Sequence, residues 1–102
     1  MSEYKPDGWA IIKHGKDFFI FGSWSGSFAS GDHWRRNSGV TGYKEDENYY
    51  HFKGDSGSVY SCSKHSNHIT AYNSTVLLAS VDGNDNASIV SIEEFLEEFD
   101  ND

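Results

Sequence analysis

Trp9-Ala10-Ile11-Ile12-Lys13-His14-Gly15-Lys16-Asp17-Phe18-Phe19-Ile20-Phe21 is the stretch that decides the fold. Two apolar runs rich in β-branched and aromatic residues flank a polar step containing Gly, the pattern of a β-hairpin. A His14-Gly15 loop would set Lys13 against Lys16, two like charges. A Gly15-Lys16 loop places Gly first, as a type II′ turn requires, and sets His14 against Asp17. The second register is the better one. It aligns Ile12 with Phe19 and Ala10 with Phe21 on one face, and Ile11 with Ile20 on the other. Both faces are largely apolar, so the pair belongs inside a barrel or beneath other elements.

Beyond the hairpin, residues 22–33 are rich in Gly and Ser, with Trp24 and Phe28 inserted, and read as a loop. A third strand is expected from Trp34 to Tyr43, with a bulge or sharp bend at Gly39 or Gly42. Lys44–Asn48 is a charged turn. Tyr49–Lys53 and Ser58–Cys62 form a second hairpin around Gly54-Asp55-Ser56-Gly57. A two- or four-residue loop pairs Lys53 with Ser58, so Tyr49, His51, Tyr60 and Cys62 share one face and Tyr50, Phe52 and Val59 the other. His68–Asn73 reads as a further strand, Ser74–Val81 as a helix or a strand, and Asp82–Asn86 as a loop. Residues 92–99 are an amphipathic helix: Ile92, Phe95, Leu96 and Phe99 make one stripe, and Ser91 with Glu94 matches a capping box. So short a helix is marginal alone and must dock its stripe.

The expected architecture is α+β and β-rich, a bent antiparallel sheet or small barrel of about five or six strands closed by the C-terminal helix, in one domain spanning 1–102. Residues 1–91 are the β-rich body, and residues 100–102 an acidic tail. Sixteen aromatic residues (three Trp, six Tyr, seven Phe) suit such a core or a binding surface.

The net charge is −8, yet six of the sixteen acids fall within residues 93–102, which hold no cation. Residues 1–92 carry ten acids against eight Lys plus Arg, so the body is near neutral. Only Lys13, Lys16, Arg35 and Arg36 could build a local basic face, which disfavours direct nucleic-acid binding. No apolar run is long enough to span a bilayer, and the N-terminus has no signal-peptide pattern, so no membrane contact is expected. A single cysteine, Cys62, fits a reducing cytosol.

Four stretches could carry chemistry. Gly54-Asp55-Ser56-Gly57 shares letters with a serine-protease nucleophile, but the chain is too short for the two barrels that chemistry needs, and a tight turn accounts for it. Cys62, His65 and His68, with His51 on the face of Cys62, could be a zinc set; the alternative is a buried thiol beside solvated imidazoles, and the spacing fits no common finger. Asp82–Glu93 partly matches a calcium loop, with Asp82, Asn84, Asn86 and Glu93 in ligand positions but Ala87 where Gly makes the sharp turn. No cofactor is expected. Trp34-Arg35-Arg36-Asn37, with His33 and the Trp24 loop, is the candidate recognition region: Arg is a planar fork for anions and indoles stack. A packing role for Trp34, with an Arg paired to the Glu45–Glu47 turn, is the competing reading.

Residues 34–40, Tyr49-Tyr50-His51-Phe52 and residues 54–62 together resemble small accessory proteins of large T4-like tailed bacteriophages, over roughly residues 34–78. The resemblance implies a bacterial host cytoplasm and a role in host takeover or counter-defence, and it transfers no catalytic residue. The expected function is a non-enzymatic binding module that engages a host protein with a basic surface. Its contacts would be Trp24, His33, Trp34, Arg35 and Arg36, and the acidic face of Glu93, Glu94, Glu97 and Glu98. The alternative is sequestration of a small anionic ligand, such as a nucleotide signal, in the aromatic and Arg pocket. An enzymatic site would have to come from His51, Cys62 and His65, and no base, nucleophile and orienting group can be assembled from their spacing.

Overall fold

The structure is a computed structural model that describes residues 3–24, 33–65 and 87–99, with His33 and Trp34 described by backbone only. Eight strands and one helix follow in chain order: β1 (Glu3–Tyr4), β2 (Gly8–His14), β3 (Asp17–Trp24), β4 (His33–Arg36), β5 (Val40–Glu45), β6 (Tyr49–Gly54), β7 (Val59–Ser63), β8 (Ala87–Val90) and α1 (Ile92–Glu98). The β-rich α+β class holds. The single bent sheet or barrel does not: among the described residues the strands form two four-stranded sheets, ordered β4-β3-β2-β8 and β1-β7-β6-β5. Nor is the pairing all antiparallel, since β1 runs parallel to β7.

The first hairpin has the Gly15-Lys16 loop, with His14 opposite Asp17, Ile12 opposite Phe19 and Ile11 opposite Ile20. Its two apolar faces are both used. Trp9, Ile11, Phe18 and Ile20 join the main core, while Ala10, Ile12 and Phe21 make a second buried cluster on the other face. Strands β4 and β8 flank the pair within its sheet, and residues of the second sheet and the helix cover the face that carries Trp9, Ile11, Phe18 and Ile20.

The strand expected from Trp34 to Tyr43 is two strands in different sheets. Antiparallel pairing with β3 stops at Arg36. Asn37 then completes the ladder: its backbone N–H donates to Ile20 O at 3.0 Å, and Ile20 N–H donates back to the side-chain Oδ1 of Asn37 at 2.9 Å. Gly39, at φ +119°, turns the backbone into a region closed to most side chains, and the chain enters the second sheet as β5. The bend foreseen at the glycines is thus a change of sheet, and the register of β5 on β6 also shifts between Val40 and Gly42.

The second hairpin departs from expectation by one residue. Lys53 faces Val59, not Ser58, and Phe52 faces Tyr60. Gly54 accepts from Gly57 N–H at 2.9 Å and donates to Ser58 O at 2.7 Å, closing a three-residue loop. Gly57 at φ +93° supplies the left-handed position that such a loop demands. An odd loop exchanges the faces of one strand relative to the other. Phe52, Tyr60 and Cys62 therefore enter the core together with half-buried Tyr50, and His51 lies on the opposite face with Ser61.

The helix closes the space between the sheets. Ser91 Oγ accepts from Glu94 N–H at 3.0 Å, the expected N-cap. Phe95 is fully buried, its ring set edge-on to Phe18 and Phe52 at centroid distances of 5.0 and 5.3 Å and stacked on Phe99 at 4.8 Å. Leu96 departs from the predicted stripe and is 43% exposed. Trp9 also joins the sheets, donating from Nε1 to Ser63 O at 2.8 Å. The expected strand His68–Asn73 and the segments 74–81 and 82–86 lie outside the described residues, whereas β8 was not foreseen.

Phe95→Ala should cost about 3–5 kcal/mol of stability, because the emptied site is walled by rings on two sheets. Leu96→Ala should cost roughly 0.5 kcal/mol or less. Urea unfolding of the two variants beside the parent measures both.

Candidate binding site

The two sheets approach each other at their edges through β1 and β4. Arg35, on β4, donates from Nη1 to Tyr4 Oη at 2.6 Å, and its guanidinium carbon stands 4.7 Å from the centre of the Tyr4 ring. Tyr4 in turn meets Trp24 edge-on at 6.4 Å and Tyr60 at 5.1 Å. Trp24 is half-buried and donates from Nε1 to Lys5 O at 3.1 Å. Trp24 and Arg35, grouped in the sequence reading, line one cleft here, and Tyr4, which joins them, was not foreseen.

Arg36 stands apart from these rings, although it too lines one of the clefts at Arg35. Arg35 pairs with Gly22 and Arg36 with Phe21, so the two side chains leave opposite faces of β4. Arg36 lies over the Phe19 ring at 4.8 Å. Of His33 and Trp34 the structure gives the backbone pairing alone, to Trp24 and Ser23.

Two clefts meet at Arg35 and Tyr4. One, of about 310 Å³, is lined by these two and by Asn37, Ser38, Ser58 and Tyr60 among others. The other, of about 320 Å³, is bounded by Glu3, Lys5 and Trp24. Among the described residues no carboxylate lies within ion-pair distance of Arg35, and the expected pairing of an Arg with the Glu45–Glu47 turn is not made: Glu45 is taken by Lys64 at 2.5 Å. Burial pushes the Tyr60 hydroxyl up to about 12, against the opposing pull of Arg35, so it stays a donor at neutral pH.

The acidic helix face is partly spent within the molecule. Lys13 binds Glu98, which holds the Glu98 carboxyl below its usual range. Glu94 is raised, chiefly by sharing a hydrogen bond with Glu98. Glu93 and Glu97 remain exposed. No residue is shared between this face and the Arg35 clefts.

The metal readings lose their geometry. Cys62 is fully buried, its thiol pushed up by burial, and the register places His51 on the other side of the sheet. His65 is exposed, and His68 lies outside the described residues. Among the described residues no cluster of three or more His, Cys, Asp or Glu can hold a metal ion. Of the calcium-loop residues, Asp82, Asn84 and Asn86 lie outside the described residues; Ala87 begins β8 and has no positive φ, so the sharp turn of the sixth position is missing.

A hydrogen-bond chain that the sequence did not reveal runs along the outer face of the second sheet. Asp46 Oδ2 lies 2.7 Å from His51 Nε2, His51 Nδ1 lies 2.8 Å from Ser61 Oγ, and Ser61 Oγ donates to Glu3 Oε2 at 2.7 Å. The residue types are those of a nucleophilic triad, but Ser61 is 1% exposed and its proton is committed to Glu3. The chain instead fastens β1 to β7 and so helps hold Tyr4 under Arg35. Among the described residues no helix is long and apolar enough to cross a membrane.

The chain matches no protein-family model, and comparison with curated proteins and with solved structures gives no significant similarity. The likeness to phage accessory proteins gains no support from these comparisons.

Asp46 is held down to about 2, from an ordinary 3.8, first by the His51 hydrogen bond and then by the N–H groups of Asn48 and Tyr49. A depressed carboxyl contributes stability that is present above its unfolded value and is lost as pH falls through its folded one. Asp46→Asn should therefore lower the urea midpoint at about pH 7, and the gap to the parent should close as pH falls from about 4 towards 2. A gap independent of pH would show that the charge does not stabilise this turn.

Proposed function

We propose that the protein is a binding module that captures a small anionic ligand at the Arg35–Tyr4 seam, the second of the two functions expected from sequence. The observation that carries this reading is an Arg fixed in place by a tyrosine hydroxyl and ring, between two clefts, without a carboxylate partner among the described residues. Its remaining N–H groups are pre-aligned, so little ordering entropy is lost when an anion arrives. Tyr4 and Trp24 offer ring faces or edges beside it, suited to a ligand with a planar part. The volumes fall at the small end of ligand pockets, fitting a mononucleotide or smaller.

Titration calorimetry with adenosine monophosphate tests this. Arg35→Gln should weaken binding at least tenfold, while Glu93→Gln/Glu97→Gln should leave it unchanged. Removing residues 93–102 is not a usable control, since it deletes the buried Phe95. Unaltered affinity in Arg35→Gln would sink the reading.

The partner-protein reading has its own support in Leu96, 43% exposed on a helix whose Glu93 and Glu97 face solvent. An apolar anchor ringed by acids suits a basic host partner, and the phage accessory role in a bacterial cytoplasm goes with this reading. A complex recovered from bacterial lysate should then weaken from low to physiological salt and be lost in Leu96→Glu. A salt-independent complex that tolerates Leu96→Glu would count against it.

A further inference from the structure

We propose that His51 is a positioning residue for the Arg35–Tyr4 seam, and that a second proton on its ring closes the clasp that holds Tyr4 in place. This deepens the anionic-ligand reading, on which its effect on affinity rests, by giving that site a regulator.

The chain from Asp46 to Glu3 has three contacts, of 2.7, 2.8 and 2.7 Å, and each needs one hydrogen. Ionised carboxylates only accept, a serine hydroxyl brings one hydrogen, and a neutral imidazole brings one. A neutral His51 therefore leaves two hydrogens for three contacts. An imidazolium supplies the third: Nε2–H donates to Asp46, Nδ1–H donates to Ser61 Oγ, and Ser61 gives its own hydrogen to Glu3. The state of Asp46 agrees, since the His51 hydrogen bond is the first cause that holds this carboxyl at about 2.

Once the second proton leaves, one contact sets acceptor against acceptor. Asp46 keeps Nε2–H, because a hydrogen bond to a charged acceptor is the stronger one. Ser61 then either turns its hydrogen to Nδ1 and drops Glu3, or keeps Glu3 and faces the bare ring nitrogen with its lone pairs. Ser61 is 1% exposed, so water is poorly placed to repair either arrangement. Both weaken the fastening of β1 to β7, and β1 has only two residues with which to pair. The second of these is Tyr4, which supports Arg35 with hydroxyl and ring.

The charges around His51 come from four elements. Asp46, in the turn, and Glu3, on β1, belong to the chain and favour the second proton. Lys44, opposite on β5, opposes it, and Lys53 of β6 lines the same groove. Tyr49, also on β6, has its ring 6.1 Å away. Strand β7 places Val59, Ser61 and Ser63 on this face, none of them charged, and Lys64 just beyond is paired with Glu45.

Glu3→Gln separates the proton count from mere packing. Its amide donates to Ser61 Oγ, Ser61 turns its hydrogen to Nδ1, and a neutral His51 still gives Nε2–H to Asp46, so all three contacts are met without the second proton. Ser61→Ala leaves the clasp open throughout. Titration calorimetry with adenosine monophosphate on the three full chains, from about pH 5.5 to about pH 8.5, spans the range in which histidine changes charge. Ionisation of the ligand's phosphate, or of any other group near the seam, is common to all three and cancels in their ratios. As pH rises, the parent should lose about tenfold in affinity relative to Glu3→Gln and approach Ser61→Ala. In ¹⁵N NMR spectra of the parent, both ring nitrogens of His51 should be protonated at the acid end, and the Tyr4 and Arg35 signals should move as the second proton leaves. If Ser61→Ala loses the parent's melting transition, Glu3→Gln and the spectra decide. A bare ring nitrogen at the acid end, or ratios flat with pH while Arg35→Gln still abolishes binding, overturns the clasp and leaves the anionic-ligand reading standing. Tyr4 and Arg35 signals that follow His51 in a protein that binds no adenosine monophosphate overturn that reading and keep the clasp. Neither binding nor coupled signals overturns both.

Discussion

A strand that leaves its sheet strands a backbone N–H on its neighbour, and here the donor left behind is that of Ile20, in the buried part of the first hairpin. Asn37 answers it with a side-chain oxygen and returns its own N–H to Ile20 O. A buried amide without that partner would be costly, and the chain could not depart where it does. The departure makes two sheets out of what would otherwise continue as one. It brings Phe52, Tyr60 and Cys62 over Trp9, Ile11 and Ile20, and it leaves the gap that Phe95 fills. The same asparagine lines the cleft at Arg35, so the architecture and the candidate site have one residue in common.

Local rules carried the first hairpin. The like-charge clash of Lys13 with Lys16, the placing of Gly15 first in the turn and the meeting of His14 with Asp17 chose the register, since apolar residues on both faces gave no guide. They failed in the second hairpin by a single residue. Gly54, Asp55, Ser56 and Gly57 each favour turns, and only even loops were weighed there; Gly57 at a left-handed bulge position is the signal that would have indicated three. The even loop set Cys62 on the face of His51; the three-residue loop parts them and takes His51 out of the candidate zinc set. The helix stripe was legible in Ile92, Phe95 and Phe99, but not in Leu96, since spacing alone cannot say how wide a surface the sheets offer.

At the binding region, sequence proximity was a poor proxy for shared direction. Arg35 and Arg36 are neighbours in the chain and lie on opposite faces of β4, as the two-residue period of a strand requires. Tyr4, Asn37, Ser58 and Tyr60 line a cleft with Arg35, coming from three parts of the chain: β1, the crossing to β5 and the second hairpin. Nothing local marks Tyr4 for this place: it arrives through parallel pairing of a two-residue strand, the kind of contact that periodicity does not encode.

That short strand couples Glu3 to the candidate binding face. Glu3 is fastened by Ser61, and the next residue supports Arg35 with both hydroxyl and ring. An affinity tag or fluorophore attached at Glu3 would stand beside the cleft that Glu3 lines and tug on the tyrosine beneath the guanidinium. A label carried elsewhere would leave that arrangement undisturbed, so the placement of a fusion partner is itself a variable in any measurement of what this surface holds.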